Sequence, residues 1–374
     1  MSGEAGGLGA SVPVGVRRAR RKSMSAKVMS GNYFEDFEIG QRLRHATPRT
    51  VTDGDVALYQ ALYGSRFAAT SGATFAASCG QERMPVDSLL VFHIVFGKTV
   101  PDVSINAVAN LGYAGGVFGA PVYPGDTLTT TSEVEGLKEN SNGKTGVVYV
   151  HSTGVNQRDE VVLDYHRWVM VNKRDHSTPA PETVLPSLPA SVPVESLHVP
   201  WTLARGAYDT ELAGSPYLWD DYLVGERIDH VDGNTIEEAD HMMATRLYQN
   251  TAKVHFNQHT EGQGRNGRRI VYGGNVISLA RALSFNGLGN ALSVAAINAG
   301  SHTNPTFAGH TVYAWSEVLE RLEIPGREDI GALRLRTVAT KDRPCADFPY
   351  KGEDGKYLPE VTLDFDYTVL MPRR

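Results

Sequence analysis

The chain has 374 residues, of which 41% are hydrophobic and 21% are charged, as in an ordinary soluble globular protein. This length exceeds one ordinary core, so we expect two domains of about 150 residues. The formal net charge of −6 argues against nucleic-acid binding. No apolar run predicts a membrane span. The two isolated cysteines, Cys79 and Cys345, have neither the spacing of a zinc site nor the number for a disulfide framework, which indicates the cytoplasm.

Residues 1–29 are predicted to form a disordered basic extension. The stretch is rich in Gly and Ala and contains the basic run 17–22. No apolar stretch follows this run, which argues against a secretory signal. A transit peptide, a nucleic-acid arm or a true start at Met24 are the alternatives.

The first long segment, residues 30–174, combines helices with strands. The apolar spacing predicts an amphipathic helix over Asp53–Tyr63, capped by Thr52 or Asp53. The stretch Asp87–Val100 is apolar almost all round, which predicts a buried helix. Runs rich in β-branched and aromatic residues then predict three strands, over residues 127–137, 146–155 and 161–171.

The same pattern returns about 185 residues later. Tyr33–Gly40 matches Leu218–Gly225, and a second buried helix is predicted over Gly274–Phe285. Between the copies lies a proline-rich segment, residues 175–216, which we interpret as a strap along the surface. Residues 217–374 form the second copy. A buried helix followed by antiparallel strands, given twice, predicts an α+β tandem (double) hot-dog fold, with each curved sheet wrapped around its central helix.

The two copies differ where chemistry is expected. Residues 64–70 of the first copy, Gly-Ser-Arg-Phe-Ala-Ala-Thr, stand opposite residues 249–255 of the second, Gln-Asn-Thr-Ala-Lys-Val-His. At the last position of this stretch the second copy has a histidine, His255, where the first has Thr70. This difference predicts that the second copy carries the active site and the first shapes the acyl pocket.

These segments carry a family resemblance. The chain resembles the MaoC-type double-hot-dog hydratases, and residues 55–67, 87–97 and 247–256 are most similar to the mesaconyl-CoA hydratase (β-methylmalyl-CoA dehydratase) family. The likeness covers residues 30–374. It implies reversible addition of water to mesaconyl-CoA, giving β-methylmalyl-CoA, in acetyl-CoA assimilation by the ethylmalonyl-CoA pathway or a related cycle. It implies an acyl-CoA substrate, no cofactor or metal, and, by analogy, a homodimer.

The resemblance also implies site residues. The family's catalytic His falls on His255 and its Asp falls on Asn250, whose amide cannot act as a base near neutral pH. We expect His255 to activate water and Asn250 to position water or substrate. Asp240 or Glu238 is a possible auxiliary acid, although Asp240 matches Asp55 of the first copy, which favours a helix-capping role.

The segment before the second buried helix is expected to stabilise enolate charge. Backbone N–H groups of Gly273 or Gly274 would hold the thioester oxygen, because a helix N-terminus favours negative charge. The substrate carboxylate and the CoA phosphates need cations. The candidates near the motif are Lys253, Arg66, Arg265, Arg268 and Arg269, with Tyr272 as a further substrate contact.

Three other functions fit the same fold. A broader (R)-specific 2-enoyl-CoA hydratase would use the first copy for an acyl tail, but Asn250 departs from that group. An acyl-CoA thioesterase is the second alternative, and it lacks a positioned acid for attack on the carbonyl carbon. A non-catalytic acyl-CoA-binding module is the third, and it would need both copies to have lost the motif.

Overall fold

The computed structural model describes residues 27–204 and 208–374. The segment Gly31–Arg374 forms one compact unit. The predicted basic extension lies almost wholly outside the described residues, and the predicted domain boundaries stay predictions. Within the described residues no helix is long and apolar enough to cross a membrane.

Strands and helices of the first half alternate as the sequence pattern indicates. The strands are β1 (Arg42–Thr50), β2 (Ala107–Phe118), β3 (Thr127–Glu139), β4 (Thr145–Val155) and β5 (Val161–Asn172). The helices are α1 (Asp53–Tyr63), α2 (Ala68–Ser71), α3 (Ala73–Ser78) and α4 (Ser88–Thr99), and a π-helical turn, Val100–Ser104, extends α4. Thr52 caps α1 in a reciprocal capping box with Asp55, which confirms one of the two predicted caps.

The second half repeats this arrangement with shorter helices. Its strands are β6 (Arg227–Asp229), β7 (Asn234–Thr235), β8 (Ser293–His302), β9 (Thr311–Glu323), β10 (Ile330–Lys341) and β11 (Val361–Pro372). Its helices are α5 (Thr210–Ala213, just before the predicted second half), α6 (Glu238–Leu247), α7 (Gln258–Glu261), α8 (Gly273–Leu283) and α9 (Phe285–Leu288). Short 3-10 turns lie at Phe34–Asp36, Val194–Ser196, Trp219–Asp221 and Lys253–His255.

Among the described residues the strands form a single antiparallel sheet with mirrored halves. Its order is β1-β3-β4-β5-β2-β8-β11-β10-β9-β6, and β7 pairs with β9. The two halves join where β2 pairs with β8, with Tyr113 opposite Gly300 and Val117 opposite Ala296. Side chains of β2 and β8 are therefore neighbours although they lie far apart in sequence.

Helices α4 and α8 fill the concave sides of the two half-sheets. Every residue of α4 from Leu89 to Thr99 is buried, as predicted. The Tyr63 and Tyr248 hydroxyls lie 2.6 Å apart, and His93 Nε2 lies 2.9 Å from Ser278 Oγ. Both pairs join positions 185 apart, the same offset as the sequence repeat. Contact between equivalent residues marks a local pseudo-twofold axis, as in a symmetric dimer.

The strap between the halves is more buried than the sequence indicates. One isolated β-bridge joins Val184 of the strap to Leu137. Further along the strap, a core cluster buries the side chains of Val192, Leu197, Trp201 and Leu203. The prediction of a strap lying on the surface is therefore wrong for these residues. Apolar side chains spaced along a proline-rich segment can dock as anchors without any helix or strand between them.

Candidate active site

A cavity of about 290 Å³ lies at the junction of the two halves. We call it the large cavity. Helix α4 and strand β2 of the first half contribute part of its wall, including Phe96 and Tyr113. The second half contributes residues 250–255, the start of α8 and residues 302–306. Its described wall contains no Lys, Arg, Asp or Glu side chain. Among side chains in this wall, acid–base chemistry therefore falls to His or Tyr.

The loop that carries Asn250 is seated on helix α4 of the other half. A Cβ atom on Gly97 would lie 2.0 Å from the carbonyl oxygen of Tyr248, so only glycine allows this approach. Asn250 is buried, and its Oδ1 accepts a 2.9 Å hydrogen bond from the N–H of Ala252. The amide oxygen is thus engaged within the loop. The Nδ2 group remains as the polar end that can donate to a ligand.

His255 ends the short 3-10 turn that follows Asn250 and lines the large cavity. Its Nδ1 lies 2.8 Å from the carbonyl oxygen of Ile270. A carbonyl only accepts, so Nδ1 carries the proton and Nε2 carries a lone pair. Burial lowers the pKa of His255 to about 4, and the Ile270 bond opposes this only in part. The imidazole is therefore neutral at pH 7, and its Nε2 lone pair is free to accept a proton.

Helix α8 begins at the cavity with Tyr272 as its N-cap and Gly273 as its first residue. The first N–H groups of a helix have no partner within the helix and carry partial positive charge. A Cβ atom on Gly273 would lie 2.4 Å from Cε1 of His302. Glycine at this position therefore lets the His302 ring pack directly over the start of α8. Gly274 is buried behind it, against His93 and Tyr272, and is not part of the cavity wall.

His302 and Tyr113 form a second polar pair in the wall. His302 Nε2 lies 3.2 Å from the Tyr113 hydroxyl, across the β2–β8 junction. Burial lowers the pKa of His302 to about 4, with a further contribution from His255, and burial raises that of Tyr113. Both groups are thus neutral near pH 7. His302 is close enough to His255 for a charge on either ring to disfavour a charge on the other.

Sequence reasoning missed His302, Tyr113 and Asn110, all of which line the large cavity. Both amide atoms of Asn110 are buried without a hydrogen-bond partner in the described part of the chain, as is the Tyr272 hydroxyl. One signal was available in the repeat. At the offset of 185, His302 matches Val117 and Asn110 matches Ala295. Extending the comparison of the copies beyond residues 249–255 would have identified polar groups that only one copy has.

The predicted basic residues lie outside the described wall. Lys253 and Arg265 are exposed, and Arg66 is exposed with its guanidinium 4.4 Å from the centre of the Phe285 ring. Arg269 pairs with Glu238, and Arg268 donates to the carbonyl of Ala308. Arg268 and Arg269 are therefore engaged by other groups of the fold, and binding of the substrate carboxylate by any of these five residues stays a prediction. A role in binding CoA at the cavity mouth stays a prediction.

The two carboxylates predicted as a possible auxiliary acid also lie outside the wall of the large cavity. Asp240 is exposed in the first turn of α6, where a carboxylate stabilises the helix N-terminus. Glu238 is engaged by Arg269 and His241. Neither carboxylate is in the cavity wall. Tyr272, in contrast, lies in the wall with its ring centroid 5.6 Å from that of His255.

The mirrored sheet, the two central helices and the cavity between them define a double-hot-dog protein of the MaoC-like dehydratase class. A crystal structure of a MaoC domain dehydratase from Chloroflexus aurantiacus is similar over 94% of this chain and all of that one, with a TM-score of 0.92 and 72% identity. A double-hotdog protein from Mycobacterium tuberculosis, Rv0216, covers 91% of this chain with a TM-score of 0.68 and 23% identity, which shows the fold alone.

Sequence comparison gives the family. A beta-methylmalyl-CoA dehydratase from Chloroflexus aurantiacus is 73% identical over 94% of this chain and its own full length. A mesaconyl-CoA hydratase from Cereibacter sphaeroides is 57% identical over 93% of this chain and its own full length. The family model for mesaconyl-CoA hydratase matches residues 20–184. The chain belongs to the mesaconyl-CoA hydratase family and is a hydro-lyase.

Proposed function

We propose that this chain catalyses the reversible addition of water to mesaconyl-CoA, giving β-methylmalyl-CoA. The observation that supports this most directly is the state of His255. Its Nδ1–H is held by a backbone carbonyl, and its neutral Nε2 belongs to a residue in the wall of the large cavity. This is the arrangement that a base needs to take a proton from water. The two named relatives carry the same activity in their names.

In the hydration direction, water attacks the β-carbon while His255 Nε2 takes one of its protons. The electron pair of the double bond moves to the α-carbon and the thioester oxygen as an enolate. The N–H of Gly273 and the N-terminus of α8 would stabilise this charge. The enolate then collapses as the α-carbon takes a proton, so that one water is added across the double bond.

The same histidine can supply that second proton. Burial favours the neutral form of His255, so the imidazolium formed in the first step is a stronger acid than an exposed histidine. Returning its proton to the α-carbon restores the resting state without a carboxylate. This accounts for an active site in which Asn250 stands where the wider family has Asp. Asn250 Nδ2 would hold the water or the substrate, since its oxygen is already bonded. The proposal requires no cofactor, because CoA is part of the substrate.

A substrate comparison tests the proposal. Purified protein is mixed with mesaconyl-CoA or with crotonyl-CoA, and loss of the enoyl absorbance is followed beside release of free thiol. We expect rapid hydration of mesaconyl-CoA, slow hydration of crotonyl-CoA and no thiol release. Faster hydration of crotonyl-CoA would favour the broader hydratase. Thiol release without hydration would indicate a thioesterase and contradict the proposal.

A further inference from the structure

Arg167 is the most unusual charged residue in the described structure. It lies in β5 with 0% of its surface exposed. Its Nη2 donates to Thr99 Oγ1 at 2.7 Å and, at the limit of a hydrogen bond, to Ser104 Oγ at 3.5 Å. Its Nε and Nη1 have no partner among the described residues. The groups that interact with its charge are Tyr165, Tyr113 and Tyr272, and none is a carboxylate. An arginine in this setting carries a full positive charge that the protein itself does not neutralise.

The position of Arg167 connects this charge to the large cavity. The guanidinium lies 4.3 Å from the centre of the Phe96 ring, and Phe96 is in the cavity wall. Ser104 and Tyr113 are also in that wall, and Tyr113 is the cross-strand neighbour of Arg167 in the β2–β5 ladder. The guanidinium therefore lies one side-chain layer behind the wall. The described wall itself contains no Lys or Arg.

A second buried arginine, Arg281, has its hydrogen-bonding groups and its charge matched by other residues of the fold. Arg281 of α8 is also almost fully buried, with its guanidinium 3.4 Å from the centre of the Phe67 ring. Its two terminal nitrogens donate to Ser284 Oγ and to the carbonyl of Ala291, and the Asp87 carboxyl interacts with its charge. Arg281 thus has both terminal nitrogens hydrogen-bonded and a carboxyl group near enough to interact with its charge. Arg167 has hydroxyl and aromatic contacts only, which leaves its charge for an anion from outside.

We propose that Arg167 binds the free carboxylate of the substrate and thereby makes the enzyme specific for a carboxylate-bearing enoyl-CoA. This inference rests on the proposed function. Mesaconyl-CoA carries its carboxylate on the β-carbon, next to the position that water attacks. A carboxylate entering between Ser104 and Phe96 would replace the long Ser104 contact with charge-assisted hydrogen bonds to the unpartnered nitrogens. Binding there would hold the β-carbon at a fixed position before His255.

The test compares two substrates that differ only in this group. In 2-methylcrotonyl-CoA a methyl group replaces the carboxylate of mesaconyl-CoA. The wild-type protein and the Arg167→Met and Arg167→Lys variants are assayed for hydration of both thioesters. For Arg167→Met we expect kcat/KM for mesaconyl-CoA to fall by about 100-fold or more, and that for 2-methylcrotonyl-CoA to change less than about threefold. For Arg167→Lys we expect an intermediate loss of kcat/KM for mesaconyl-CoA alone, because lysine keeps the positive charge but lacks the planar guanidinium that binds a carboxylate through two hydrogen bonds.

Loss of both activities to the same extent would overturn the inference, since it would mean that Arg167 only supports the fold. Where Arg167→Met does not fold, the ratio of the two kcat/KM values in Arg167→Lys decides, and an unchanged ratio overturns the inference.

The matched control is Arg281→Lys, which should leave the ratio unchanged. Binding of unreactive methylsuccinyl-CoA and 2-methylbutyryl-CoA by calorimetry gives a readout without turnover, and loss of the wild-type preference for the first is expected in the Arg167 variants. A wild-type protein that hydrates neither thioester would contradict the proposed function instead.

Discussion

The described residues form two cavities at equivalent places in the two halves, and these cavities differ in volume. The second, which we call the small cavity, has a volume of about 50 Å³ and is lined by the counterparts of the large-cavity residues. At the offset of 185, Thr70 takes the place of His255, Ser88 that of Gly273 and Ala295 that of Asn110. The polar groups proposed for catalysis are thus absent from the small cavity.

The strap accounts for the difference in volume. His198, Pro200 and Trp201 complete the wall of the small cavity, and Trp201 Nε1 donates to Ser293 Oγ at 2.9 Å. The counterpart of Ser293 in the large cavity is Val108, which is 56% exposed and has no such cover. The comparison of the two cavities shows how a linker segment can fill one copy of a duplicated pocket with buried side chains. The remaining pocket then keeps its mouth free for a ligand.

The largest expected effect separates His255 from its counterpart Thr70. His255→Ala should lower kcat/KM for mesaconyl-CoA by about 10²–10⁴-fold, because it removes the general base. Thr70→Ala removes only a hydroxyl that bonds the Phe67 carbonyl and should leave kcat/KM within about twofold. Steady-state hydration assays on folded variants check this. Similar losses in both variants would contradict the assignment of catalysis to one cavity.

A change in the strap should reverse this pattern. Trp201→Ala empties the site that the fully buried indole fills and should cost about 3–5 kcal/mol of stability. Equilibrium urea unfolding measures the loss, and kcat/KM of the folded variant should stay within about twofold. Val108→Ala, at the exposed position that matches Ser293, serves as the control, with an expected stability change below about 0.5 kcal/mol. A large loss of activity in folded Trp201→Ala would show that the strap also shapes the large cavity.

The start of the two central helices gives a smaller contrast. Gly273→Ala places a Cβ atom against His302 and should lower kcat/KM by about 10–100-fold, since the oxyanion donor and His302 must both move. Ser88→Ala at the matching position of α4 should change kcat/KM by less than about twofold. The measurement is the same hydration assay, with far-UV circular dichroism to verify folding. Equal activities for Gly273→Ala and wild type would argue against this N–H as the oxyanion donor.

The smallest effect concerns pH. The base acts in its neutral form, and the folded pKa of His255 is about 4, below the ordinary value of 6.5. Activity is therefore present above this pKa and is lost as the pH falls through about 4. Between pH 8 and pH 5 we expect kcat/KM to change less than about twofold, whereas a base of ordinary pKa would lose about 30-fold at pH 5. A pH profile of kcat/KM decides, and an acid limb near 6.5 would contradict the buried neutral imidazole.

Much of the fold could be predicted because it is written in local patterns. Helices α1, α4 and α8 and strands β3, β4 and β5 follow from apolar spacing and β-branched runs, with ends within about two residues of the structure. His255 and Asn250 lie in the large-cavity wall where the motif places them.

The remaining residues of the site come together through strand pairing between distant parts of the chain, which no local sequence pattern encodes. Tyr113 and His302 are 189 residues apart and meet only because β2 pairs with β8. Arg167 sits in a strand whose alternation resembles any half-buried strand, so nothing in its neighbourhood marks it as unpaired. The basic loop around Arg265 and Arg269 was more conspicuous in sequence, yet Arg265 is exposed and Arg269 is engaged by Glu238. Proximity along the chain was a poor guide to proximity in the cavity.

The pairing of Tyr63 with Tyr248 on the pseudo-twofold axis has a further consequence. In a dimer of identical chains, every substitution appears at both pockets, so a change that helps one as an active site is imposed on the other. Covalent linkage of the two halves removes that constraint. Here the half that has Thr70 in place of His255 contributes Phe96 and Tyr113 to the pocket of its neighbour, while Trp201 lines its own, smaller pocket. Loss of symmetry thus allows one half to specialise in recognising the substrate and the other in transferring protons.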